Sequence, residues 1–272
     1  MVKEKRPASS PPITPIKGDS MTADSDIFDA SASIYDLLYE DKDSSLEALW
    51  IHESLRKHGL PHDGALLELG AGTGRHARHF ADVGHMVTGI DPSKEMLSRA
   101  TAHPRVHLLE GDGRSVRLGQ EFDAVLALFH VLSYQAMVSD VRDFFRTAAI
   151  HARPGGLFAF DTWYSPAVHH LTPTARMIER ENEAIAVTRS AKPEEDTQNS
   201  RVDVHYHYEV HEKGSGKRYT FEELHSMRHF SFTEIVLLAS DAGFEILQAQ
   251  EFLSGAAPSR DTWGVWFVLR RT

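Results

Sequence analysis

The chain is 272 residues long, with 39 acidic residues against 29 basic ones, 17 histidines and a formal net charge of −10. So acidic a chain repels phosphate backbones, which argues against DNA or RNA as substrate; the absence of cysteine excludes disulfides and thiol catalysis and fits a reducing cytoplasm. No apolar run approaches the roughly 18 residues of a membrane span, and no short apolar stretch follows the basic start, so neither an anchor nor a secretory signal is expected. Residues 1–25 place Pro7, Pro11, Pro12 and Pro15 among serines and charges. They read as a disordered tail, with Met21 as a candidate internal start. Tyr35-Asp36-Leu37-Leu38-Tyr39 is expected in a short helical segment. Leu46, Leu49, Ile51 and Leu55 give Ser45–His58 the apolar stripe of an amphipathic helix.

Ala65–Leu69 is an apolar run interrupted only by Glu68, as in a parallel strand buried on both faces. Gly70, Gly72 and Gly74 follow at alternate positions, and a helical run begins at Arg75. Glycine permits positive φ and brings no Cβ, so a ligand can lie against the backbone there. The spacing departs from the dinucleotide fingerprint, whose third glycine would stand at Arg75, and no P-loop is present. His85–Ile90 reads as a second strand with Asp91 at its end, about 20 positions beyond the turn, where a carboxylate suits a ribose diol. Asp91-Pro92-Ser93 is also good capping chemistry for a helix over Pro92–Ala100, and the two roles are compatible. Val106–Leu109 is the third strand, followed by Glu110-Gly111-Asp112-Gly113. Phe122–Phe129 is a fourth, fully buried strand, and Arg153-Pro154-Gly155-Gly156 leads into a fifth, Leu157–Phe160. Alternation of strands and helices from Gly64 to Asp161 implies a parallel sheet covered on both faces.

Beyond Asp161 the periodicity changes to two. Ala184–Ser190, Arg201–His211 and Arg218–His229 read as strands of an antiparallel layer, the last two joined through Gly214-Ser215-Gly216. Ser231–Ala242 is a helix capped by Ser231 and stopped by Gly243; Phe244–Phe252 and Val265–Leu269 are the last strands. Asp203, His205, His207, Glu209 and His211 share one face of their strand, and valines and tyrosines the other. A half-buried strand is the expectation there, not a metal site. His76, His79, His169 and His170 belong to no constellation and are expected on the surface, and no metal is expected.

Ligands of open α/β sheets bind outside the carboxyl ends of the strands. The carboxyl end of the fourth strand is Phe129-His130-Val131-Leu132-Ser133-Tyr134. His130 is the candidate base or orienter, because histidine titrates near neutrality; Tyr134 is a candidate substrate contact.

The pattern Glu68-x-Gly70-x-Gly72-x-Gly74, with Asp91, Asp112 and the Arg153–Gly156 turn, resembles the class I S-adenosyl-L-methionine (SAM) methyltransferases. That resemblance implies an α/β fold: a seven-stranded, mostly parallel Rossmann-like sheet closed by an antiparallel pair, with an antiparallel β insertion after strand five. It implies a tail over 1–25, a SAM-binding core with N-terminal lid helices over 26–162, a substrate-side insertion over 163–230 and completion of the core over 231–272. It implies SAM as cofactor, held by Tyr39, Glu68, Gly70, Gly72, Gly74, Asp91, Asp112, Gly113 and Phe129, with Asp112 receiving the adenine amino group. The Tyr35-Asp-Leu-Leu-Tyr39 segment is similar to the Y-D-x-x-Y of the sugar N-methyltransferases, which act on nucleotide-linked deoxyamino sugars of macrolide pathways. By that likeness Tyr35 and Tyr39 cover the methionine end of SAM and the amino sugar, Tyr35 joins His130 as a catalytic candidate, and His225 and Arg228 meet the diphosphate–sugar. Two departures stand: the neighbours of His130 match loosely, and Arg176, Arg180, Arg228 and Arg260 are scattered along the sequence. Glycine-type N-methyltransferases and small-molecule O-methyltransferases share the outline. Outside the class stand a non-catalytic SAM-fold interaction protein and a NAD-type oxidoreductase, the latter disfavoured by Arg75 and Asp112. The expected partner is a small molecule in the cytoplasm, with neither nucleic acid nor membrane; a homodimer is compatible with the chain, and nothing in the sequence selects it.

Overall fold

The computed structural model describes Phe28 and residues 30–272, so the tail expected over 1–25 lies outside the described residues. Among the described residues eleven strands form two sheets, and the first is built around central strands that are largely apolar. β1 (Ala65–Leu69), β2 (Met86–Asp91), β3 (Val106–Glu110), β4 (Phe122–Ala127) and β5 (Ala152–Trp163) run parallel; β10 (Phe244–Glu251) and β11 (Gly264–Arg271) are antiparallel additions. The order is β10-β11-β5-β4-β1-β2-β3. Successive side chains of a strand point to opposite faces, and here both faces are apolar. Leu67 and Leu69 pack with Phe144, Phe145 and Ile235 from α5 (Val138–His151) and α7 (Phe232–Asp241). Leu66 packs on the other face with Ile51, Leu55 and Phe80 from α2 (Ser44–Lys57) and α3 (Arg75–Asp82).

The second sheet, β6 (Arg176–Glu181), β7 (Ile185–Asp196), β8 (Arg201–Glu212) and β9 (Arg218–Arg228), is an antiparallel meander between β5 and α7. Val187, Tyr208 and Val210 on its inner face bury Ile34 and Leu38, the latter from the short α1 (Tyr35–Leu38). Val202, Val204 and Met227 bury Val168 of α6 (Ser165–Leu171). β6 is absent from the periodicity reading because four of its six residues are charged; as an edge strand it leaves Met177 in solvent. The helix expected over Pro92–Ala100 is the shorter α4 (Lys94–Ser98), and its cap is Ser93, whose hydroxyl accepts from the Met96 N–H at 3.1 Å, not Asp91. Among the described residues no helix is long and apolar enough to cross a membrane.

Candidate active site

The carboxyl ends of β1, β2, β4 and β5 converge on a cavity of about 630 Å³ that reaches from the glycine turn to the inner face of the second sheet. The turn is built from backbone that only glycine adopts freely: Gly70, Gly72 and Gly74 have φ of 77°, 56° and 71°. The Gly70 and Ala71 N–H groups both donate to the Ile90 carbonyl, at 2.7 and 3.0 Å, which ties the turn to β2. The Gly72 N–H donates to Asp91 Oδ2 at 2.7 Å, and Asp91 Oδ1 accepts from the Ser93 N–H at 2.9 Å. Asp91 therefore clamps the turn as well as facing the cavity.

Glu68 is 1% exposed, and its Oε2 has no hydrogen-bond partner among the described residues. Burial, reinforced by the charge of Asp91, pushes its carboxyl up to about 8. A buried polar atom without a partner is costly, and a cationic ligand group in the cavity would answer it. Asp112 is already engaged: Oδ1 accepts from the Arg114 backbone N–H at 2.8 Å and Oδ2 from its guanidinium at 2.7 Å. Burial works to raise Asp112, but Arg114 outweighs it and holds the carboxyl below its ordinary value. Its remaining lone pairs can still accept from an amino group.

Across the cavity the backbone turns sharply after β4. Phe129 and His130 both have positive φ, 61° and 63°, a strained pairing for residues with side chains. The strain aims the imidazole at Asp161 near the end of β5. Asp161 Oδ2 lies 2.7 Å from His130 Nδ1 and accepts from the His130 N–H at 3.1 Å. Asp161 is 1% exposed. Burial alone would raise its carboxyl; the charge of His130 and the hydrogen bond from its backbone N–H, with Lys42 beyond, outweigh burial and hold it below the ordinary value. The 2.7 Å contact is not aligned as a hydrogen bond and acts through charge; a carboxylate beside Nδ1 favours a proton on that nitrogen, which leaves the lone pair on Nε2 for a proton acceptor's role.

The far wall is aromatic. Tyr35, Tyr39, Phe129 and Tyr134 line the cavity, and the Lys42 ammonium sits 3.3 Å over the Phe129 ring. Burial pushes the Tyr35 and Tyr134 phenols well above their ordinary value, so both remain hydrogen donors. Gly113 also lines the cavity, whereas Gly74, His225 and Arg228 do not. His225 acts one layer behind: its Nδ1 pairs with the Tyr134 hydroxyl at 3.0 Å and its Nε2 with Glu223 at 3.1 Å. Arg228 is buried and committed, donating to Glu234 at 2.8 Å and to the Ala136 and Asn199 carbonyls. The resemblance implies that Arg228 meets the diphosphate–sugar; here its guanidinium bonds those three protein groups and lies off the cavity.

Two site residues went unread in the sequence. Asp161 carried a signal, a carboxylate in the otherwise apolar run Leu157–Phe160 and its extension, which is expensive unless paired. Arg189 carried another, standing in phase with the inward Ile185 and Val187 of its strand. It lines the cavity, donates to the Tyr39 hydroxyl at 3.0 Å and lies 4.7 Å over the Tyr206 ring. The histidine-rich strand β8 is half-buried with its valines inward; His205 and His207 are exposed and make only longer contacts to glutamates.

Residues 66–156 match the methyltransferase domain family. The chain is 29% identical over 234 residues to dTDP-3-amino-3,4,6-trideoxy-alpha-D-glucopyranose N,N-dimethyltransferase of Streptomyces venezuelae, covering 84% of this chain and 94% of that protein. It is 28% identical over 235 residues to dTDP-3-amino-3,6-dideoxy-alpha-D-glucopyranose N,N-dimethyltransferase of Streptomyces fradiae, covering 84% and 88%. The solved sugar N-methyltransferase of a Streptoalloteichus species shares the fold, with a TM-score of 0.75 at 23% identity over 97% of this chain and 99% of that one.

Proposed function

For this chain, which is a SAM-dependent methyltransferase, we propose N-methylation of the amino group of a nucleotide-linked deoxyamino sugar. The observation that carries the reading is that His130, backed by the buried Asp161, faces the same cavity as the glycine turn. The likeness to dTDP-amino-sugar N,N-dimethyltransferases supports the substrate class.

SAM would be held by Gly70, Gly72, Asp91, Asp112 and Gly113, with Glu68, Tyr39 and Phe129 lining the same cavity, and it supplies an electrophilic methyl group when bound; Gly74 shapes the turn from outside the cavity. The other tasks fall to the chain. An amino sugar arrives largely as ammonium and has no lone pair to offer. His130 Nε2 takes one proton, and Asp161 stabilises the imidazolium that results. The amine freed of its proton is the nucleophile that would accept the methyl group SAM supplies. The aromatic wall excludes water and holds acceptor and methyl group in line; such positioning supplies up to about 7–11 kcal/mol. Tyr35 and Tyr134 orient the acceptor with their hydroxyls. Arg189 is the cation at the insertion end of the cavity and is suited to the phosphates.

On this reading residues 26–162 bind the cofactor, 163–230 face the substrate and 231–272 complete the core. The enzyme works on a small molecule in the cytoplasm, without nucleic acid, and a homodimer is its candidate assembly. The test is turnover with SAM on a panel of dTDP-amino sugars, free amino sugars, glycine and phenols, read by mass spectrometry. Gain of one or two methyl groups on the dTDP-amino sugars is the expected result; methylation confined to phenols or glycine overturns it.

A further inference from the structure

Away from the cavity, three residues from distant parts of the chain meet at the seam between the two sheets. His169 lies in α6, Glu195 near the end of β7 and His229 directly after β9. Each offers one ligand atom, and these atoms all lie within 4.8 Å of one another. His169 Nδ1 and Glu195 Oε1 are 3.1 Å apart. Two ligands on a tetrahedral zinc, with bonds of about 2.0–2.1 Å, stand about 3.3 Å apart. The pair therefore already has ligand spacing.

His229 supplies the second, independent observation. Its side chain is fully buried, its Nδ1 is 2.8 Å from the Ser165 hydroxyl, and its Nε2 has no hydrogen-bond partner among the described residues. Donation from Nδ1 to Ser165 leaves the Nε2 lone pair unused in the protein interior. Metal-bound histidines are oriented in just this way, by a hydrogen bond at the other ring nitrogen. The His169 and His229 rings stand at 89° with centroids 5.0 Å apart, so they converge edge to face and are not stacked.

We infer that His169, Glu195 and His229 form a zinc site that clasps the second sheet to the segment following β5. Two imidazoles and one carboxylate suit zinc, whereas magnesium and calcium prefer oxygen donors alone. His169 and Glu195 reach solvent, which leaves the fourth position to water. None of the three lines the methyl-transfer cavity. The site is structural: it adds stability and leaves the chemistry unchanged.

The experiment is zinc chloride titration into the untagged, metal-stripped full chain by calorimetry, with thermal denaturation alongside. One saturable zinc per chain is expected, with a melting temperature that rises on zinc addition. His169→Ala and Glu195→Gln, both at solvent-reaching positions, should each weaken binding at least tenfold and abolish the thermal gain while keeping kcat. Ser165→Ala should weaken binding about 10–100-fold. The double variant His205→Ala/His207→Ala, on the exposed face of β8, should bind as the parent does. Absence of one-to-one binding, or equal binding by the His169 and Glu195 variants, overturns the site and leaves a plain His–Glu contact. His229→Ala empties a buried position, so the judgement rests on the other two ligands.

Discussion

At the scale of single residues, the strained pair Phe129–His130 and the buried Asp161 make one device. A left-handed His130 places Nδ1 and the backbone N–H on the same carboxylate oxygen. On the proposed mechanism His130 is the base, so its loss should cost the chemical step and little else: His130→Ala is expected to lower kcat by about 10²–10⁴-fold with KM for SAM nearly unchanged. Asp161→Asn keeps the shape and loses the charge that stabilises the imidazolium, so kcat should fall nearly as far. Near-normal kcat in both variants, measured by single-turnover methylation, would leave proximity as the whole of catalysis. Asp91 separates binding from chemistry in the opposite sense. Asp91→Ala should weaken SAM binding by about 1–3 kcal/mol in calorimetry, since a charged acceptor is lost. It should also loosen the turn, because the Gly72 and Ser93 N–H groups lose their partner. The sequence pointed to His130 and Asp91 because Asp91 ends β2 and His130 follows closely on β4, at the sheet edge where ligands of this fold class bind. Arg228 and His225 are harder to place from sequence, because a charged or polar residue on a strand does not declare whether its partner is a ligand or, as for Arg228 and Glu234 here, the protein itself.

At the scale of elements, the glycine turn and the loop after β4 are built against each other. A Cβ on Gly70 would lie 2.5 Å from Val131 Cγ2, whereas one on Gly72 would meet only the tip of Met96 at 3.2 Å. Both glycines have positive φ, so each alanine variant carries backbone strain, but only Gly70→Ala also pushes on the loop that positions His130. The expected order is a larger loss of melting temperature and of kcat for Gly70→Ala than for Gly72→Ala; the reverse order, by thermal denaturation and steady-state kinetics, would mean that the two loops are not coupled. Arg189 and Tyr39 are a second coupled pair. Arg189 on β7 holds Tyr39, at the end of α1, by its hydroxyl and stacks on Tyr206. Tyr39→Phe and Arg189→Met should each raise KM, and the double variant should cost less than their sum, since both remove one contact. The parallel core was legible because β1 and β4 are apolar runs bounded by glycine or loop signals. The insertion was legible only where strands alternate cleanly: β8 does, and β6 does not. Its contribution to the cavity depended on knowing which face of β7 turns inward, and that follows from packing against Ile34 and Leu38.

At the scale of the whole molecule, a single buried carboxyl leaves a mark on stability. Glu68 ionises near its ordinary value in the unfolded chain and only near 8 in the fold, because burial and Asp91 oppose the charge. Between those two values the folded state holds a proton that the unfolded state has released, so folding stability falls as pH rises. Below about 4.5 the effect is absent, and above about 8 it is complete. Asp161 acts with the opposite sign: its depressed folded value contributes stability that is present above the ordinary carboxylate range and lost in acid. The two windows barely overlap, so the alkaline slope belongs to Glu68. From pH 6.5 to 8 the ligand-free protein should lose on the order of 2 kcal/mol, at about 1.36 kcal/mol per unit, measured by urea denaturation. Glu68→Gln should flatten that slope. The same group predicts a proton linked to cofactor capture. A cationic ligand beside Glu68 draws the carboxyl into its ionised form, so SAM binding at pH 7 should release protons to the buffer. Calorimetry in buffers of different ionisation enthalpy reads that release directly, and affinity should climb with pH until about 8. A buffer-independent enthalpy together with a pH-independent affinity would show that Glu68 keeps its proton in the complex. Its carboxyl would then support the turn as a neutral group, and the positive end of the cofactor would rest on the backbone carbonyls alone.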